Sequence, residues 1–249
     1  MTYFVGIDPT AAEIALTYSV LDDECNLLDL KDGNLDEIIQ FISKQETAMV
    51  AINGPSKPNL GVVLKEMHQQ NLQPGQLRGT DLRKAEQILR NIGILVTPTP
   101  SKFDLCPEWM QLSFQIHKML GDMGFKYFPD ESGARKMLET QPHAAFCVLV
   151  EGQLLPKPTL EGRLQRQMAL RAAHLNIKDP LEFFEEITSH RLIKGILPMD
   201  KVYSANQLDA LMAAYVAFLA GNEPDRISFV GNVDEGRIAL PGSKLKEKY

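Results

Sequence analysis

The chain has 249 residues, 44% of them hydrophobic and 23% charged, with a formal net charge of −6. A chain of that length buries roughly three quarters of its unfolded surface without disulfides or metals, and the composition excludes a mainly disordered protein. The acidic balance argues against nonspecific coating of nucleic acid, which needs clustered Lys and Arg, but it allows an enzyme with a local basic patch.

The opening Met1–Asp8 lacks the basic and apolar blocks of a signal peptide. No stretch approaches the roughly 18 uninterrupted apolar residues of a membrane span. Cys25, Cys106 and Cys147 are far apart with no C-x-x-C pair, as expected of free thiols in a reducing compartment. These features predict a cytoplasmic protein with no membrane partner.

Tyr3 to Ile7 is a short apolar run stopped by Asp8-Pro9, the pattern of a buried strand ending at a carboxylate. Ile14 to Leu21 and Leu27 to Leu30 are two further strands, joined across Asp22-Asp23-Glu24 into a meander. Asn34 caps a helix whose buried face is Ile38, Ile39, Phe41 and Ile42. Ala48 to Ile52 is a strand ending at Asn53-Gly54-Pro55. Asp81 to Asn91 reads as a charged helix, Ile94 to Val96 as a strand, and Leu105 to Leu120 as an inserted helix. A lid is one role open to the segment from Leu105 to Tyr127. Lys136 to Thr140 is a short strand, and Pro142 opens the helix carrying Phe146 and Val148. Leu160 to Leu175 and Leu181 to Arg191 have amphipathic spacing. Ser204-Ala205-Asn206-Gln207 is a capping box, and Gly221 is a natural stop for the helix between them. The expected organisation is one α/β domain over residues 1–249, with helical insertions around 101–130 and 156–200.

Between Lys201 and Glu223 the sole charged residue is Asp209, on a helix with no wide polar face. An ionised carboxylate buried there must be paired, hydrogen-bonded or metal-bound. Asp8 closes a strand, where ligands of open α/β sheets collect. Brought together, the two carboxylates would repel, and Mg²⁺ or Mn²⁺ would relieve that repulsion. An ion pair of Asp209 with an Arg, or a capping role, is the plain alternative. Arg78, Arg83, Lys84 and Arg90 on one helix, and Arg163, Arg166 and Arg171 on another, fit a phosphate grip or, more simply, solvated faces. The histidines form no zinc-binding group, and no cysteine–histidine spacing marks a nucleophile. Neither nucleotide-binding glycine motif is present, so no nucleotide cofactor is expected.

Several segments occur in a distinctive order: Val5-Gly6-Ile7-Asp8, Val50 to Pro55, Arg78 to Glu86, Gly93-Ile94 and Thr99-Pro100. Glu139 to His143, Thr159 to Arg163 with Arg166, Leu208 to Ala214, and Glu235 to Ile238 with Pro241 follow. Together they resemble the bacterial domain-of-unknown-function family numbered 429, described as predicted nucleases. The resemblance implies a ribonuclease H-like mixed sheet, an antiparallel three-strand meander plus parallel strands flanked by helices. It implies catalytic carboxylates at Asp8, Glu139 and Asp209, with Asn53 as a fourth metal ligand where the family often has Asp. Arg78 and Arg163 would bind substrate, and His143, four residues after Glu139, would join them or be structural. The implied function is a Mg²⁺- or Mn²⁺-dependent nuclease or phosphodiesterase, with nucleic acid as the partner. The alternative is a non-catalytic member that binds nucleic acid or protein, as the Asn53 substitution favours. Oligomeric state is open.

Overall fold

A computed structural model describes residues 1–9, 16–69, 81–129 and 132–249. Among them the chain forms a mixed eight-stranded sheet flanked by helices. The meander is present: β1 (Tyr3–Asp8), β2 (Leu16–Leu21) and β3 (Leu27–Gly33) pair antiparallel in sequence. Helix α1 (Leu35–Ser43) returns the chain to β4 (Ala48–Asn53), parallel to β1. Helices α2 (Val62–Gln69), α3 (Lys84–Asn91) and α4 (Glu108–Asp122) precede β5 (Lys126–Tyr127) and β6 (Arg135–Thr140). Then come α5 (Pro142–Leu149), α6 (Leu160–Ala172), α7 (Leu181–Glu185), α8 (Ser189–Ile193) and α9 (Ala205–Asn222). A closing hairpin, β7 (Ile227–Asn232) and β8 (Gly236–Pro241), completes the sheet in the order β3-β2-β1-β4-β6-β8-β7. Strand β6 has a divided edge: β5 pairs with its first half at Lys136 and Met137, and β8 with its end at Glu139 and Thr140.

The sheet separates two cores. Ile38 and Ile42 of α1 and Ile116 and Leu120 of α4 cover one face, packing on Val5, Ile7, Val50 and Ile52. Helices α5 and α9 cover the other, packing on Phe4, Met49, Ala51 and Leu138. Helix α4, expected as an insertion, is therefore a layer of the core and not a lid.

Three expectations change. Ile94 to Val96 is not a strand: Ile94 and Val96 are buried, but Leu95 is 75% exposed and the segment joins no ladder. The backbone of Ile94 instead bonds back to the end of α3 at Leu89. The helix expected over Leu181 to Arg191 breaks in two, because Thr188 leaves helical geometry to cap α8 through Arg191 N. The β7–β8 hairpin was not anticipated. Its strands alternate irregularly in hydrophobicity, and its turn, Val233-Asp234-Glu235, lacks the two-residue hairpin signal. No helix among the described residues is long and apolar enough to cross a membrane.

Helix α9 is buried from Leu208 through Ala217 without a break. It approaches β1 closely because position 6 is glycine: a Cβ there would lie 2.1 Å from Ala210 O and 2.2 Å from Ala214 N. The Ser19 hydroxyl on β2 donates to the same Ala210 carbonyl at 2.8 Å, fixing the helix along the sheet. Gly6→Ala must push α9 off the sheet, so we expect a loss of about 3 kcal/mol or more, read by urea denaturation. A loss under about 1 kcal/mol would show that the contact is not a close constraint.

Candidate functional site

Register places the acidic residues. Ile7 pairs with Ile52 in the parallel β1–β4 ladder, so Asp8 and Asn53 follow side by side at the strand ends. Side chains alternate along a strand. Asp8 shares the face of Phe4 and Gly6, the face that α9 covers. There Asn53 Nδ2 donates to Asp8 Oδ1 at 2.8 Å, and both residues are buried. Asp209, one residue before the Ala210 carbonyl that meets Gly6, projects from the first half of α9 into the same region. Asp8 is among the charges acting on it.

Burial, opposed by Lys157 and Arg166 and aided by Asp8, raises the Asp209 carboxyl from 3.8 to about 6. Lys157 forms an ion pair with Asp209 Oδ2 and remains partly exposed. The sequence reading missed this lysine. Its loop is delivered by α6: Gly162 sits where a Cβ would lie 2.0 Å from Pro156 O. Arg166 Nη1 donates to Leu155 O at 3.0 Å and to Gly162 O at 2.8 Å. Gln165 Oε1 accepts from Leu155 N at 2.8 Å. The available signal was Gly162 and Arg166 in a helix expected to be amphipathic, since both are buried.

His143 lies in the first turn of α5, half-buried, and burial followed by Arg166 and Lys157 lowers its pKa. It is neutral near pH 7 and able to accept a proton. Its Nε2 is 3.9 Å from Cys147 Sγ, a cysteine–histidine approach that the sequence reading did not expect. Burial raises the Cys147 thiol, so this is not an activated thiolate.

Glu139 is placed differently. It pairs with Ile52 across β4–β6, and its neighbour two residues back, Met137, belongs to the core under α1 and α4. The period of two therefore turns Glu139 to the face opposite Asp8 and Asp209. Its Oε1 accepts from Arg83 Nη2 at 2.5 Å, and its Oε2 accepts from Arg83 Nη1 at 3.1 Å and from Ser56 N at 3.0 Å. Arg83, read from the sequence as one of a solvated helix face, is 2% exposed. Its Nε donates to Glu86 Oε1 at 2.9 Å. Thr99 completes Glu86, its hydroxyl donating to Oε1 at 2.5 Å and its backbone N–H to Oε2 at 3.1 Å. Arg83 Nη1 also donates to Glu235 O, and the Glu235 carboxylate accepts the backbone N–H groups of Leu60, Val62 and Lys84. The site is thus two centres, an acid pair with a lysine and a saturated arginine–glutamate network.

Arg163 donates to Tyr203 O at 2.7 Å and Val202 O at 3.1 Å, anchoring the approach to α9. Arg78 lies outside the described residues. Among the described residues, no three His, Cys, Asp or Glu side chains form a group able to hold a metal.

The architecture defines a mixed α/β protein with a buried carboxylate pair at the junction of a strand end and the long central helix. Residues 6–235 match the family model described as Protein of unknown function (DUF429), and the chain belongs to that family. No curated protein and no solved structure matches it.

Two predictions follow from the charges. The folded state holds the Asp209 proton more tightly than the unfolded chain, so its contribution to stability is full below pH 3.8 and is lost as pH rises through about 6. In EDTA, wild-type stability should fall relative to Asp209→Asn over that window, by a difference on the order of 3 kcal/mol. Parallel urea-denaturation curves from about pH 4 to pH 7 would contradict the assignment. Arg83→Leu leaves two buried carboxylates without their cation and should cost about 3–5 kcal/mol. An effect below about 1 kcal/mol in the same assay would count against the network as a structural keystone.

Proposed function

We propose that the chain is a divalent-cation-dependent phosphodiesterase of ribonuclease H-like fold, acting on nucleic acid. The meander followed by a helix and a parallel strand supports that fold. The observation that carries the function is Asp209, a carboxylate on an otherwise apolar helix, set against Asp8 at a strand end with its proton affinity raised.

The donor set fits one hard cation better than two. Mg²⁺ is commonly held by one or two carboxylates, with water and substrate phosphate completing the shell. Asp8 and Asp209 supply that pair. Asn53 faces Asp8 with its amide nitrogen, which cannot coordinate a cation, and Glu139 is bound to Arg83 on the other face. A cation at the pair would polarise a phosphoryl oxygen and acidify a bound water.

The chain's own groups do the rest. Lys157 balances Asp209 when no cation is bound, and its partly exposed ammonium can turn to a substrate phosphate. Arg166 holds the loop that carries it. His143, neutral near pH 7, can accept a proton from an attacking water. Asn53 orients the Asp8 carboxylate through its hydrogen bond.

A non-catalytic binding role is the second reading, favoured by that same Asn53–Asp8 bond, which occupies an acceptor site of Asp8. The test pairs cation binding with cleavage. Mg²⁺ or Mn²⁺ should raise the melting temperature of the wild type but not of Asp8→Ala or Asp209→Ala. Single-stranded, duplex and branched DNA and RNA should be cleaved at least 100-fold more slowly by Asp8→Ala. Cation stabilisation unchanged in both variants removes the proposal, and cation binding without cleavage transfers the site to the binding role.

A further inference from the structure

Large hydrophobic side chains are exposed unevenly along the chain. Seven of the seventeen exposed among the described residues fall between Leu181 and Met199. Leu181 and Phe184 lie on α7, and Leu192 and Ile193 on α8, with Ile193 83% exposed. Ile196 and Leu197 follow in the turn that stops α8, where Gly195 takes a φ of +66° and the Ile196 N–H donates back to Arg191 O at 2.9 Å. The segment is seated by Phe183, which packs with Leu164 of α6 and Val202. Ion pairs of Arg191 with Glu186, and of Lys201 with Glu182 and Glu186, tie its parts together. Glu185 at the end of α7 and Lys194 at the end of α8 are exposed and form no ion pair among the described residues.

We propose that this surface binds a second copy of the chain, α7 of each copy lying against α8 of the other across a two-fold axis. Such an interface uses one patch twice, so the patch must complement itself. This one does. The apolar side chains of α7 meet those of α8, and Lys194 meets Glu185 of the partner subunit, each contact occurring twice. The area is also sufficient: the seven side chains expose on the order of 700 Å², close to the ~800 Å² that each partner of a stable complex buries. The largest apolar patch of a typical monomer is smaller, about 300–600 Å².

Charge selects a second copy over other occupants. From Leu181 to Lys201, Glu182, Glu185, Glu186 and Asp200 stand against Arg191, Lys194, Lys201 and the titratable His190, so both signs are present and nearly balanced. A surface built for anionic lipid or nucleic acid carries an excess of Lys and Arg instead. Neither Asp8 nor Asp209 takes part, and the inference does not rest on the phosphodiesterase reading.

Analytical ultracentrifugation of the full chain in EDTA, across the micromolar range, tests the interface without cation or substrate. It should show a species of twice the 27.9 kDa chain mass. Ile193→Glu should raise the dissociation constant at least 100-fold while leaving the circular dichroism spectrum unchanged. Lys194→Glu and Glu185→Lys should each weaken the dimer at least tenfold, because each sets like charges opposite one another twice. The double variant should return to within threefold of the wild type. Leu95→Glu, at a residue 75% exposed in another part of the chain, should have no effect. A monomer throughout, an oligomer larger than two, a dimer indifferent to Ile193→Glu, or a double variant as weak as its parents would overturn the proposal. So would a monomer that cosediments with phosphatidylglycerol vesicles, which would give the surface to a membrane. None of these outcomes bears on cleavage, so the phosphodiesterase reading stands or falls separately.

Discussion

The distance between α9 and β1 is the constraint on which the rest depends. Without a side chain at position 6, the backbone of α9 lies against the strand, held by the Ser19 hydroxyl on Ala210 O. That approach draws an eighteen-residue helix into the middle of the molecule and carries Asp209 in with it. A carboxylate would not be stable there in isolation. It persists because Lys157 is brought to it by a loop that Gly162 and Arg166 hold in place. Its raised pKa records how incomplete that compensation is.

The two charge centres differ in kind. Around Arg83, donors and acceptors are matched: the guanidinium meets the Glu86 and Glu139 carboxylates and the Glu235 carbonyl, while Thr99 and several backbone N–H groups complete the carboxylates, with almost no exposure. Such a centre ties β6, α3, the 99–100 turn and the final hairpin together, but it has little capacity to change state. Around Asp209, burial and the nearby Asp8 charge work against ionisation, and a partly exposed lysine with Arg166 behind it offsets them only in part. That imbalance is what a cation or a proton can relieve, so chemistry belongs at this centre and architecture at the other.

Much of this was legible in the sequence. The apolar run ending at Asp8, the meander, the capping box at Ser204 and the lone Asp209 on an apolar helix all express local rules of periodicity and capping. The position of Glu139 was not legible in the same way. Whether it faces Asp8 depends on the β4–β6 register, which pairs it with Ile52 and leaves Thr140 opposite Asn53. Arg83 and Glu86 looked like a solvated pair because their partners, Glu139 and Glu235, lie 56 and 152 residues from Arg83 in the chain. The segments that carry the family resemblance nevertheless contain Arg83, Glu86, Thr99, Glu139 and Glu235.

The central claim is that Asp8 and Asp209 form one electrostatic unit. Carbon-detected NMR titration of the Asp209 carboxyl, in EDTA, measures this directly in wild type and in Asp8→Asn. The account predicts a midpoint near 6 in the wild type, moving down toward 3.8 when the Asp8 charge is removed. A midpoint near 3.8 in both proteins, or one near 6 that ignores the substitution, would contradict it.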